Sequence, residues 1–194
     1  LNLQILNVGK RYIISGSVVS CFYCAPIRCS FYFLYNLFKM KLHCNIEINN
    51  RLSTINVIRI KVTINKSSEY PTLEGFPRTT EELYLIGLNR KSFDRQILKL
   101  QSLRILNLSN NQISSLPKEL GTLQHLQELI LSQNRLDRAL KWLWLDQVAI
   151  RSNLKLLDIS NNSLQKLPHE IGKLDSLVNL KASQNMLSCL PQNL

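Results

Sequence analysis

An α/β solenoid, with short parallel strands on a curved inner side and turns or short helices returning along the outer side, is the fold class that this sequence predicts. Three observations predict it. The phrase LRILNLSNNQISSLPKELGTLQ at 103–124 returns as LKLLDISNNSLQKLPHEIGKLD at 154–175. Aligned on LxxLxLxxNxL, unit starts fall at Thr80, Leu103, Leu126, Leu154 and Leu177, separated by 23, 23, 28 and 23 residues. Inside each unit, apolar residues first alternate and then recur more widely, the order of a strand followed by a return.

That spacing is the one of leucine-rich repeats, about five of them. In the unit beginning at Leu103, the side chains of Leu103, Leu106 and Leu108 point inward, leaving Arg104, Ile105, Asn107 and Ser109 on the concave side. Ile113, Leu116, Leu120 and Leu123 bring the chain back, with Pro117 opening the return, where its missing N–H is not needed. No unit can cover its own leucines, so neighbours must stack.

Taken in chain order, residues 1–39 carry four Lys/Arg and no acid, and the first methionine is Met40. They are read as a non-native or disordered N-terminal extension. Its apolar stretch SVVSCFYCAPIRCSFYFLYNLF contains Arg28 and lacks the uninterrupted run of about 20 apolar residues that a membrane span needs. Residues 40–79 are read as a short β-rich remnant and lead-in, with Ile58, Ile60, Val62 and Ile64 on one face of a strand over the first repeat. Residues 80–194 are read as the repeats, truncated at the C-terminus. The Thr80 unit has Leu88 where later units have asparagine, and is expected to be irregular.

Asn111, Asn134, Asn162 and Asn185 hold one place in successive units. An inward asparagine there offers a carbonyl and an amide to backbone groups that the bend leaves unpaired, so this ladder is read as structural. The 28-residue unit contains LDRALKWLWLDQVAIRSN, read as a longer helical return with Leu140, Leu143 and Val148 facing the core. Trp142 and Trp144 lie two residues apart and so cannot share one helical face; packing and an aromatic anchor are the two readings for each.

Between the inward leucines, two columns face outward on the strands. One comprises Glu82, Ile105, Glu128, Leu156 and Asn179; the other comprises Tyr84, Asn107, Ile130, Asp158 and Lys181. A constant scaffold carrying varied contacts suits protein recognition, and exposed Ile105, Ile130, Leu156 and Tyr84 favour it. The candidate protein-binding residues are these columns, with Tyr84, Glu128, Ile130, Asp158 and Lys181 foremost.

Other chemistry is disfavoured. The net charge is +11, yet residues 80–194 carry fourteen Lys/Arg against ten acids and their strands have no basic stripe, which argues against direct nucleic-acid binding. His43, His125 and His169 are scattered, without a hydrolase or HExxH spacing, so no catalytic residue and no cofactor is expected. Cys21, Cys24, Cys29 and Cys44 lack a second CxxC, so no metal site is expected either. Without an export signal or a cysteine-rich cap, an intracellular compartment is the better reading, and the N-x-S matches at Asn65, Asn107 and Asn161 would stay unmodified.

MKLHC at 40–44, EYPTLEGFPRTTEEL at 69–83, LKLQSLRILNLSNNQISSLP and LGTLQHLQELILSQNRL resemble the leucine-rich repeat substrate receptor of cullin-2 RING ubiquitin ligases, over about 40–194. The resemblance implies a non-enzymatic adaptor whose repeats engage substrate while a C-terminal region binds elongin B/C and cullin-2. It also implies a nuclear role in removing the replicative helicase at the end of DNA replication. This chain departs from the family in having little length between MKLHCNIEINNR and IRIKVTINKSSEYP for the family's N-terminal domain, and no positions for the elongin and cullin contacts. The alternative is an intracellular signalling scaffold similar to Ras-pathway or phosphatase-associated repeat proteins.

Overall fold

Alternating side chains form a sheet only when a neighbouring strand takes the backbone, and here each repeat supplies that neighbour. The computed structural model describes residues 2–7, 11–15, 18–19, 46–49, 60–64, 66–70, 76 and 78–194. Strands β5 (Ile60–Ile64), β6 (Thr80–Leu85), β7 (Ile105–Asn107), β8 (Glu128–Ile130), β9 (Leu156–Asp158) and β10 (Asn179–Lys181) form one open parallel sheet in chain order. A second sheet has the order β3 (Val18–Val19), β1 (Asn2–Asn7), β2 (Arg11–Ser15), β4 (Ile46–Asn49). Three of its strands lie within residues 1–39, the stretch expected as an extension, and β2 pairs antiparallel with β4 beyond Met40.

The inward leucines build one continuous core. Leu83, Leu106, Leu129 and Leu157 are fully buried in successive strands, and Leu103, Leu126 and Leu154 are fully buried just before their own strands. At roughly 1.5–3 kcal/mol for each fully buried aliphatic side chain, stacking supplies most of what opposes chain entropy. Val62 and Ile64 of β5 are likewise fully buried and extend this core under the first repeat, whereas Ile58 lies outside the described residues. At β10 burial falls away, and Leu177, Leu180 and Ala182 are half-buried.

The returns are 3₁₀ turns. Lys118–Thr122 follows Pro117, and His169–Lys173 follows Pro168, each proline extended at the N-cap. Gly121 and Gly172 occupy equivalent places there, where the next segment approaches closely. A Cβ on Gly121 would stand 2.7 Å from the Trp144 carbonyl oxygen and 2.2 Å from Gln147 Cγ.

Strands β6 to β10 each end in one bend. Gly87, Asn110, Gln133, Asn161 and Gln184 take positive φ between 52° and 69°. Asn110 donates its N–H to the Ser132 carbonyl at 3.0 Å, and Asn161 donates to Ser183 at 2.9 Å, so the bend is held by the next unit. The asparagine after the bend closes it. Asn162 Nδ2 donates to the carbonyls of Leu131, Ile159 and Ser160, all at 3.0 Å, while its Oδ1 accepts the Leu136 N–H at 3.0 Å. Asn111, Asn134 and Asn185 repeat the arrangement, each reaching one unit back. The first unit is irregular: Leu88 is buried in the asparagine place and Asn89 adds a further positive φ of 54°.

The inserted return departs from the single helix expected of it. Leu143–Asp146 is a 3₁₀ turn, Gln147 is extended, and α1 runs from Val148 to Asn153. Leu140 is buried as expected, but Leu143 is 54% and Val148 73% exposed, which corrects their assignment to the core. Three residues per turn, followed by an extended break, rephase the segment, so Trp144, Leu145 and Ile150 point inward instead. Trp144 is fully buried with its indole N–H unpartnered among the described residues, and Trp142 is half-buried at a ring separation of 5.9 Å.

Candidate protein-binding surface

Parallel register sets the two outward columns side by side. Glu82 pairs with Ile105, Ile105 with Glu128, Glu128 with Leu156 and Leu156 with Asn179. Tyr84, Asn107, Ile130, Asp158 and Lys181 are in register in the same way. Lys61 and Thr63 continue the columns onto β5, opposite Glu82 and Tyr84. These two were not among the candidates, although the burial of Val62 and Ile64 leaves no other face for them.

Ile105, Ile130, Leu156 and Tyr84 are half-buried, which corrects the expectation of exposed side chains. At a strand spacing of about 4.8 Å, neighbours in a column shade one another. Asn179 and Lys181, on the edge strand β10, are exposed.

The polar groups divide into those engaged by the fold and those turned outward. Asp158 Oδ1 accepts from the Ser160 N–H at 3.0 Å and the Ser160 hydroxyl at 2.6 Å, and Asn107 Oδ1 accepts from the Ser109 N–H at 3.0 Å. Both side chains therefore brace their own strand ends. The Tyr84 hydroxyl donates to Glu82 Oε2 at 3.3 Å, and Lys61 Nζ lies 4.8 Å from the centre of the Tyr84 ring. Glu81 and Arg104, at the rim, form an ion pair of 3.2 Å. Glu128 has no ion pair or side-chain hydrogen bond among the described residues and is half-buried between Ile105 and Leu156.

Nothing comparable assembles elsewhere among the described residues. His125 and His169 are both exposed, and His169 Nε2 lies 3.2 Å from its neighbour Glu170. His43 and the cysteines at 21, 24, 29 and 44 lie outside the described residues, and among the described residues no group of His, Cys, Asp and Glu could hold a metal ion. No helix among the described residues is long and apolar enough to cross a membrane. Burial withdraws Trp144 from any surface role, and leaves only part of Trp142 outward.

Family models described as leucine rich repeat match residues 80–136 and 153–174. The human protein called leucine-rich repeat protein 1 is 37% identical over 87 residues, covering 45% of this chain and 21% of its own length. Its mouse counterpart is 33% identical over 103 residues, covering 49% and 24%. A rice plant intracellular Ras-group-related LRR protein is 35% identical over 91 residues, covering 46% and 23%. The matched regions thus span about a quarter or less of these relatives. Among solved structures, a leucine-rich repeat protein of Leptospira interrogans superimposes with a TM-score of 0.54 at 32% identity, over 60% of this chain and 28% of that one.

Proposed function

We propose that the concave sheet face of this leucine-rich repeat solenoid captures the substrate of a cullin-RING ubiquitin ligase. The observation that carries the reading is the register of the two columns. A repeated core presents a contact surface that does not repeat, with aliphatic, aromatic, acidic and amide groups brought side by side. The resemblance carried by the MKLHC and YP…FP segments is the ground for the ligase role. Function then follows from proximity: a receptor that holds substrate lysines beside a charged ubiquitin raises their effective concentration without itself reacting.

The test is capture of purified replicative helicase, the substrate class implied by the resemblance, on the immobilised chain. Ile130→Ala combined with Asp158→Lys removes an aliphatic contact and reverses a charge, and should weaken capture at least tenfold while the circular dichroism melt still shows a folded array. Undiminished capture by that variant removes this face from recognition. A second reading is a signalling scaffold, in which a Ras-type GTPase rather than the helicase is retained on the same surface; the rice relative fits it by name alone.

A further inference from the structure

The concave face has a period of its own, twice that of the scaffold. On β6 the outward pair is Glu82 and Tyr84, and on β8 it is Glu128 and Ile130, a carboxylate in the first column beside an apolar group in the second. The strands between and beyond reverse this. On β7 the pair is Ile105 and Asn107, and on β9 it is Leu156 and Asp158, an aliphatic group in the first column beside a polar one in the second.

Two strand spacings make this period about 9.6 Å. A polyproline-II helix repeats on one edge every three residues, about 9.3 Å. A β-strand returns a side chain to one face every two residues, about 6.6 Å, and an α-helix needs a heptad, about 10.5 Å. The first of these matches the surface.

Charge selects the residues. Over β6 to β9 the eight positions of the two columns hold three carboxylates and no cation, with Arg104 and Lys155 at the rim just before β7 and β9, in an array that elsewhere has more Lys/Arg than acid. Lys61 over the Tyr84 ring and Lys181 on β10 close the strip at its two ends. Between β6 and β9 the strip is about 14 Å long, room for about five residues at 3.1 Å each.

We infer that this strip binds a basic, aliphatic segment of a protein partner in polyproline-II form, in the order cation, aliphatic, any residue, cation, aliphatic. The two cations stand over Glu82 and Glu128, and their alkyl stems lie along Ile105 and Leu156. The two aliphatic side chains meet Tyr84 and Ile130. The inference rests on the concave face being the recognition surface, and adds the chemistry of what is recognised.

Fluorescence anisotropy of the 194-residue chain with a labelled peptide of three Arg-Leu-Pro triplets tests it. The triplet peptide should bind at least tenfold more tightly than the same nine residues grouped as three Arg, three Leu and three Pro, and its affinity should fall as salt is raised from 50 to 200 mM. Glu82→Lys with Glu128→Lys should transfer the preference to Glu-Leu-Pro triplets, with circular dichroism checking the fold. Equal binding of triplet and grouped peptides, or tighter binding of a helical peptide with arginines seven residues apart, overturns the inference. Helicase capture separates the two failures: if Ile130→Ala/Asp158→Lys still abolishes capture, the face stands and the ligand chemistry falls, whereas unchanged capture removes both.

Discussion

Asn162 Nδ2 donates to the Leu131 carbonyl 3.0 Å away, a contact across 31 positions that exists only because two units are stacked in register. Replacing Asn162 by Ala leaves the buried Leu136 N–H and the carbonyls of Leu131 and Ile159 without that partner. Leaving buried groups unsatisfied costs about 1–3 kcal/mol each where water does not reach them, so a loss of about 2–4 kcal/mol is expected. Urea unfolding followed by circular dichroism measures it. Asn162→Asp, which keeps the acceptor and loses the donors, should fall between wild type and Ala; equal stability of all three would discount the ladder.

Gly121 should not tolerate a side chain. Its Cβ would meet a backbone oxygen at 2.7 Å as well as the flexible Gln147, so Gly121→Ala should destabilise by about 1–3 kcal/mol. Adding Gln147→Ala should recover only part of the loss, because the Trp144 carbonyl cannot rotate away. Full recovery in the double variant would show that the side chain alone sets the limit.

Tyr70 should resist ionisation. Burial, chiefly, and its hydrogen bond to Asp94 hold the phenol above its ordinary value of 10.0, against the opposing pull of Arg90. The unfolded chain releases this proton near pH 10 while the folded chain keeps it, so stability is unaffected below pH 10 and declines above it. Melting temperatures taken from pH 8 to 11 should therefore fall less steeply in Tyr70→Phe than in wild type. Parallel slopes would mean that Tyr70 titrates normally.

The two tryptophans should behave differently toward a quencher. With Trp142→Phe, the remaining indole is the buried Trp144 and its fluorescence should be protected from acrylamide; with Trp144→Phe, the half-buried Trp142 should be quenched readily. Trp144→Ala should also cost about 3–5 kcal/mol, as expected for removing a buried aromatic ring. Similar quenching in both single-tryptophan variants would contradict the packing of this unit.

Much of the architecture was legible because it repeats. Leu103, Leu106 and Leu108 declare their face by alternation, and the next unit declares it again, so both the sheet and the outward columns could be placed. Where repetition lapses, so does legibility. A constant helical period through 140–150 put Leu143 and Val148 in the core, but the 3₁₀ turn and the extended Gln147 rotate the chain between them. The half-burial of Ile105 and Ile130 depends on neighbours more than twenty residues away, which no local pattern expresses. Lys61 and Thr63 were readable from alternation, yet β5 has no repeat consensus to draw attention to it. The engagement of Asp158 by Ser160 is a matter of hydrogen-bond geometry at a strand end, invisible in residue identity alone.

The alternation of outward pairs over β6 to β9 bears on how such a surface can change over generations. Duplicating or deleting one regular 23-residue unit keeps the strands stacked, but it sets the carboxylates on one side of the splice one strand out of step with those on the other. Gaining or losing two units preserves the phase. A lineage that keeps its ligand is therefore free to lengthen this stretch only by even numbers of repeats, while an odd change makes a new specificity in one event.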